Sequence, residues 1–470
     1  MYPHGQTEQE KINAFLSENS PKKEDIIKEL YKKHLAELPE IMKGEKYYYK
    51  KNDITNRVLY KYDSNGHKVA DVEATNNKLA SGWHKLLVDQ KTSYLVGDAV
   101  AVGYKEDVDV TPVLDKLEEL DEILAETVKD TSNKGSDWWH PYVDEVGEFG
   151  FIQIPREEAI PIYNTANKKQ LVAFIRVYEI GDDITKFELW DKERVYYYER
   201  IGASGEIKKD ASKENKWEQS HFYHGKNGYG WQAVPFIEIP NNSKRVSDLS
   251  FTKDYIDAYD KLNSDTTNTL EDIQEIFYIF KGYEGTDVKE AVTNLRRYKG
   301  VAVSDEGGDV NTVQGEVPTQ SIHAHLDRLI EDIYQFGQGV NTNTDKFGNS
   351  PSGIALKFLF SLLDMKASVL EVKLKKSLRE LLWFVCEYMS IYDGQEYDYK
   401  KFTFTFNKSM LMNDLEQVQI GQMSLGSISK ETIRENHPWV ADPQLEKERI
   451  DREEVAFDLD LVGEDDDTTT

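Results

Sequence analysis

One cysteine, Cys386, stands in 470 residues, so no disulfide framework can form within the chain. That scarcity fits a reducing compartment such as a cytoplasm, and a lone cysteine amid apolar neighbours reads as a small core residue. No run of 18 apolar residues occurs, which leaves no expected membrane-spanning helix. Met1-Tyr-Pro-His-Gly-Gln has no apolar stretch behind a basic one, so no secretory signal is expected. Basic residues are scarce too: 58 Lys and Arg face 85 Asp and Glu, a net charge of −27. Such a chain does not grip DNA through its average surface, because binding by counterion release needs clustered cations. It can still surround DNA without holding it.

Catalytic signatures are equally sparse. No Gly-x4-Gly-Lys-Ser/Thr loop is present to cradle phosphates; Gly225-Lys-Asn-Gly-Tyr-Gly230 lacks the hydroxyl and the following helix. No His-Glu-x-x-His and no Gly-x-Ser-x-Gly occurs. His323 and His325, two apart on an expected helix, point to different faces and make a poor metal pair. Asp107 and Asp109 lack the Gly and terminal Glu of a calcium loop. Carboxylate pairs abound, but in so acidic a chain solvated faces account for them.

What is present centres on residues 319–390. From Ile354 to Ser390, Leu356, Leu359, Leu363, Leu370, Leu374, Leu378, Leu381, Val385 and Met389 recur at helical spacing. Phe358, Leu362, Met365, Val369 and Val372 form a second row, so the helix is expected to pack on two sides. Ahead of it, residues 341–353 are rich in Asn, Thr and Ser with Gly348, Pro351 and Gly353, and they break the helix. Ile322, Leu326, Leu329, Ile330, Ile333 and Phe336 mark a helix before the break. On spacing alone this is a helical hairpin with a polar surface loop.

Elsewhere, residues 8–43 read as helical, with Pro39 expected to stop or kink the end. Val58, Tyr60, Tyr62, a turn at Asp63–Gly66 and Val69 predict a hairpin. Residues 76–97 and 113–130 predict helices. Period-two strands are expected near Phe149–Ile154, Leu171–Glu179, Lys186–Leu189, Arg194–Arg200 and within Trp231–Asn242. A helix is expected from Asp248 to Phe280, with a strongly polar centre at Asn263–Thr269 that suggests packing on copies of itself or an exposed face. Between it and the helix from Thr319 lies a small α/β insert: a helix over Thr286–Arg297 and strands at Gly300–Val303 and Val310–Val313. Phe402–Phe406 alternates as a strand, residues 413–426 and 429–437 read as helices with Ser429 capping the second, and Asp458–Thr470 is an acidic tail too polar to pack. The class is α+β.

Several segments, in this order, carry a resemblance: Asn77-Lys-Leu with Leu86-Leu-Val-Asp-Gln-Lys91 and Tyr94-Leu-Val-Gly97; Trp139-His-Pro-Tyr; Ile160-Pro-Ile-Tyr163; Val234-Pro-Phe-Ile-Glu-Ile-Pro-Asn-Asn242; Asp254-Tyr-Ile-Asp-Ala-Tyr-Asp-Lys261; Ser352-Gly-Ile-Ala-Leu-Lys-Phe358 with Leu363-Asp-Met-Lys-Ala367; and Ser429-Lys-Glu-Thr432. Each is modest, but their succession over residues 20–455 resembles the portal proteins of tailed double-stranded DNA bacteriophages, especially long-tailed phages of Gram-positive hosts. The resemblance implies a portal fold that assembles as a ring of about twelve subunits at one capsid vertex, with viral double-stranded DNA passing through its channel.

In those terms residues 1–247 form the wing, 248–280 and 319–340 the helical stem, 281–318 the small α/β clip, and 341–353 the tunnel loop. Residues 354–407 supply the long helix and a wing strand, 408–458 the α-helical crown and 459–470 the tail. The tunnel loop would bring Asn343, Thr344, Asp345, Lys346, Phe347, Gly348 and Asn349 to the DNA, and an acidic lining would let the duplex slide. Lys289, Arg296, Arg297 and Lys299 form a basic cluster in the clip that either meets the packaging motor or connector or is simply solvated. The implied partners are the terminase large subunit, head-completion or connector proteins, and the major capsid and scaffolding proteins, with no membrane, no metal and no cofactor. The implied location is the virion, and the host cytoplasm during assembly. Two other readings stay open: another ring-forming head-to-tail connector, or a nucleic-acid-processing enzyme, which would need a carboxylate metal cluster.

Overall fold

The computed structural model describes residues 23–164, 170–181, 183–213, 216–273, 277–281, 309–313, 318–342, 353–408, 414–435 and scattered positions between 437 and 452. The chain divides into two compact units, residues 1–339 with 365–408, and residues 340–364 with 409–470.

The larger unit begins with helices α1 (Lys23–Ile41) and α2 (Lys43–Tyr48) and a hairpin of β1 (Tyr60–Tyr62) and β2 (Lys68–Ala70). The Asp63 carboxylate closes the hairpin turn by accepting from the Asn65 and His67 amides, and Gly66 adopts φ 79°. Helix α3 (Trp83–Val96), strand β3 (Ala101–Tyr104) and helix α4 (Leu120–Lys134) follow. The helix expected over 113–130 is broken: a short helix at Thr111–Leu114 and a 3-10 turn at Asp115–Leu117 precede α4. The sheet region then runs β4 (Ser136–Val143), β5 (Phe149–Ile154), β6 (Ala159–Tyr163), β7 (Leu171–Ile180), β8 (Ile184–Trp190), β9 (Arg194–Ile201) and β10 (Ile237–Pro240).

Strands β6 to β9 form an antiparallel meander, and β10, β4 and β5 form a second antiparallel sheet. The alternation that predicted these strands puts one set of side chains on each face of the meander. Ile160, Ile175, Phe187 and Tyr198 pack under Ile27 and Tyr31 of α1, with the Tyr31 and Phe187 rings edge-on at 5.1 Å. On the other face Trp138, Phe174, Trp190 and Phe236 cluster, and the Phe174 and Phe236 rings stack at 3.7 Å.

Next come a 3-10 turn (Asp248–Phe251), helix α5 (Lys253–Ile273), strands β11 (Phe277–Lys281) and β12 (Asp309–Val313), and helix α6 (Thr319–Gly337). Helices α5 and α6 lie antiparallel: Tyr255, near the start of α5, stacks on Phe336, near the end of α6. Helix α5 stops at Ile273, not at Phe280 as expected. Phe277 to Lys281 instead pairs with Val313 to Asp309 as an antiparallel ladder. The i, i+3, i+4 spacing of Ile273, Phe277 and Phe280 fits either period, and the aromatic, β-branched run Phe277-Tyr-Ile-Phe280 prefers the strand. The expected helix over 286–297 and strand at 300–303 lie outside the described residues.

Helix α7 (Gly353–Tyr392) spans 40 residues, about 60 Å of helix. Its first apolar row is core: Leu370, Leu374, Leu378, Leu381, Val385 and Met389 are all buried. Its second row is not: Phe358, Met365, Val369 and Val372 are exposed, so among the described residues the helix packs on one side only. Strand β13 (Phe402–Thr405) joins β3 in antiparallel register. In the smaller unit, α8 (Asp414–Met423) and α9 (Lys430–Glu435) follow, and the Ser429 hydroxyl accepts the Thr432 amide at 3.1 Å, capping α9 as expected.

Part of the polar centre of α5, Ser264 and Asn268, has a partner inside the chain. Asp260, Ser264 and Asn268, four apart on one face and all buried, accept the backbone amides of Ser81 (2.9 Å), Leu79 (3.0 Å) and Asn77 (2.7 Å), two apart on an extended segment. Asp272 accepts the Thr75 hydroxyl one turn further on. Four helical residues rise roughly 6 Å and two extended residues roughly 6.6 Å, so the two periods stay in step over the whole seam.

Hydrogen exchange of the monomer checks this register. The amides of Asn77, Leu79 and Ser81 will exchange slowly and those of Lys78 and Ala80 quickly; uniform exchange would contradict the seam. Asn268→Ala, which strips the acceptor from Asn77, will cost about 1–3 kcal/mol in urea unfolding.

Candidate functional site: a shared carboxylate between the long helices

The residues that flank the loop segment meet a buried ionic hub. Lys91, one turn after Leu87 on the inner face of α3, points its ammonium at Asp248 Oδ2 (3.1 Å) and Asn241 Oδ1 (2.6 Å). Lys366 of α7 reaches the same Asp248 Oδ2 at 3.0 Å and donates to the Gly337 carbonyl, the last residue of α6, at 3.0 Å. Asn241, just past β10, donates from Nδ2 to Asp248 Oδ1 (2.8 Å) and to the Val246 carbonyl (2.9 Å). Asp248 opens the 3-10 turn that leads into α5 and is held there because the Ser247 hydroxyl accepts the Leu249 amide. One carboxylate therefore ties together α3, the end of β10, the entry to α5, and α7; through Lys366 it also reaches the end of α6.

Burial alone would raise the pKa of Asp248, but Lys366, Lys91 and the Asn241 amide outweigh it and hold the carboxyl below its ordinary range. Burial pushes Lys91 down to about 8, with the Asp248 charge pulling the other way. The nearby His84, which meets Asn133 at 2.9 Å, is pushed down to about 4 by burial and is neutral at pH 7. Packing here is close as well as polar. A Cβ on Gly337 or on Gly339 would lie 2.5 or 2.4 Å from Leu87 side-chain carbons, so any larger residue there would have to displace buried Leu87.

Of the residues singled out from the sequence, Asn343, Thr344, Asp345, Lys346, Phe347, Gly348 and Asn349, and likewise Lys289, Arg296, Arg297 and Lys299, lie outside the described residues. The structure brings together their flanks: Gly337 and Lys366 on either side of the first group, and Lys281 opposite Asp309 on either side of the second. Sequence reading missed the hub itself. The available signal was a lysine at the register of an apolar stripe, in Leu87-x3-Lys91-x3-Leu95 and again in Met365-Lys-Ala367. Among the described residues, no three His, Cys, Asp or Glu side chains gather as a metal-ligand set, and no helix is long and apolar enough to cross a membrane.

The family described as "Phage portal protein, SPP1 Gp6-like" matches residues 27–456. The chain belongs to this portal family. Among curated relatives, the portal protein of Bacillus phage SPP1 is 36% identical over 489 aligned residues, covering 99% of this chain and 95% of that protein. The portal protein of Clostridium phage phiCD119 is 32% identical over 487 residues, covering 97% and 98%. Solved structures with weaker likeness include the virion of a native gene transfer agent particle (12% identity, TM-score 0.44, 75% of this chain and 88% of that one) and the neck of an empty particle (12%, 0.45, 75% and 89%).

Lys91, Asn241 and Lys366 each fall inside a segment that carries the portal resemblance, and the hub is where those segments converge. Two measurements test it. Asp248→Asn leaves two ammonium groups buried without a counter-charge and will cost about 3–5 kcal/mol in urea unfolding at pH 7, whereas Lys91→Met leaves the Lys366 pair intact and will cost under about 2 kcal/mol; equal losses would show that the carboxylate is not shared. His84 and His140, the latter pushed by burial to about 3, stay neutral in the folded portal chain while the unfolded chain takes up protons below about pH 6.5. Stability is complete above that pH and falls on acidification by up to about 1.4 kcal/mol per pH unit for each imidazole. Melts at pH 7, 6 and 5 check the slope, and a level profile would contradict neutral buried imidazoles.

Proposed function

We propose that this chain is the portal vertex subunit of a tailed phage. It closes with its copies into a ring, typically of twelve, through which double-stranded DNA enters the capsid and later leaves. The single observation that carries this reading is the portal-family match over residues 27–456, end to end with curated portal proteins. The chain acts as structure and as a docking platform; ATP hydrolysis belongs to a separate terminase motor. The clip residues Lys289, Arg296, Arg297 and Lys299 face that motor or the connector, and the capsid and scaffolding proteins meet the ring from outside. The protein resides in the virion, after assembly in the host cytoplasm.

The tunnel loop, residues 341–353, carries the DNA contacts through Asn343, Lys346 and Asn349. Its support is the anchoring of both flanking helices: Lys366 binds the end of α6 and the shared Asp248 carboxylate at once. Mass measurement and electron microscopy under assembly-promoting conditions test the ring, and solitary chains alone would overturn it. Replacing Thr344–Asn349 by a Gly-Ser stretch will lower DNA packaging at least tenfold while rings still form; packaging at the unmodified level would remove the loop from the mechanism.

A further inference from the structure

The second apolar row of α7 is the largest disagreement between what the helix carries and what the chain covers. Met365, Val369 and Val372 are 60%, 51% and 66% exposed, although each lies on a helix whose other row is buried from Leu363 to Met389. Their spacing, with Leu362 and Phe358 behind them in sequence, is 4-3-4-3, the repeat that seats one helix against another. A row of this period costs solubility in a lone chain and gains nothing unless it is covered.

Charge indicates what covers it. The chain as a whole is at −27, so two copies repel wherever average surfaces meet. Between Lys357 and Glu380, however, six cations stand against three acids; Lys366 is turned inward to Asp248, Lys375 pairs with Glu371 and Lys376 with Glu380, and Lys357, Lys373 and Arg379 are the remaining cations. Lys376 and Arg379 are exposed just beyond Val372, where they border a cavity of about 840 Å³ lined also by Asp191, Gln232 and Trp383. An apolar row rimmed by cations suits a surface that is apolar and acidic, and the rest of this chain is acidic. The three exposed side chains supply roughly 300 Å² toward the roughly 800 Å² per partner of a standard interface, enough for its centre.

We propose that Met365, Val369 and Val372 form the centre of the contact between neighbouring copies, with Lys376 and Arg379 meeting acidic side chains of the next subunit. This rests on the ring assembly proposed above and assigns its interface.

The test uses the full-length chain. Val369→Asp/Val372→Asp will melt as the unmodified monomer does, because both positions are exposed, yet will raise the concentration needed for ring formation at least tenfold by mass photometry. Unchanged assembly would overturn the inference and leave the ring standing; an unmodified chain that never assembles overturns both. As an independent readout, Val369→Cys carrying a bimane label will be quenched freely by iodide in the monomer and several-fold less in the ring, with buried Cys386 protected from labelling. Equal quenching in both states, or protection that appears only when DNA is added, would rule out a neighbouring copy as the occupant.

Discussion

Asp248 is one carboxylate for two buried ammonium groups, and most of the larger unit's internal order depends on it. An isolated charge cannot be buried at tolerable cost, so each lysine must find this acid, and the acid must find both. The elements that bring them, α3, α7 and the turn into α5, are thereby fixed against each other to within hydrogen-bond tolerance. Apolar packing alone would allow several nearly equal arrangements of such long helices; a buried charge set allows one. The cost is carried by the large core around it, where one face of the sheet meander packs on α1 and the other on β4 and Phe236.

The same hub sorts what is held from what is not. Helices α5, α6 and α7 enter or leave it at defined ends: Asp248 at the start of α5, Gly337 at the end of α6, Lys366 within α7. A portal must keep its channel geometry while DNA passes, and a charge-locked junction at the root of the helices is a physical means of doing so. Large apolar side chains stand exposed on the outer row of α7 and on the β1–β2 hairpin, where Tyr60 and Tyr62 are in solvent.

Much of this was legible in the residues and some was not, for identifiable reasons. The buried row of α7, strands β5 and β7 to β9, and the Ser429 cap followed from periodicity and capping chemistry, which are local. The hub was invisible because a lysine is an exposed residue by type, and its partner lies 157 positions away in the case of Lys91. The α5 seam was not foreseen because a polar stripe looks the same whether it faces water, a copy, or the backbone of an extended segment. Phe277 to Lys281 was misassigned because a short apolar run satisfies both periods, and only the long-range ladder with β12 decides. Between α6 and α7 the break was legible in the residues, but the anchoring of its two flanks by Lys366 was not.

The match of a four-residue helical step to a two-residue extended step has a mechanical side. Asp260, Ser264 and Asn268 hold Ser81, Leu79 and Asn77 side by side along the helix axis, so a pull along α5 loads all three bonds together in shear instead of peeling them one by one. It also sets a length rule: a single residue added to either strip between these contacts shifts every later donor off its acceptor, so insertions are tolerated only outside the seam.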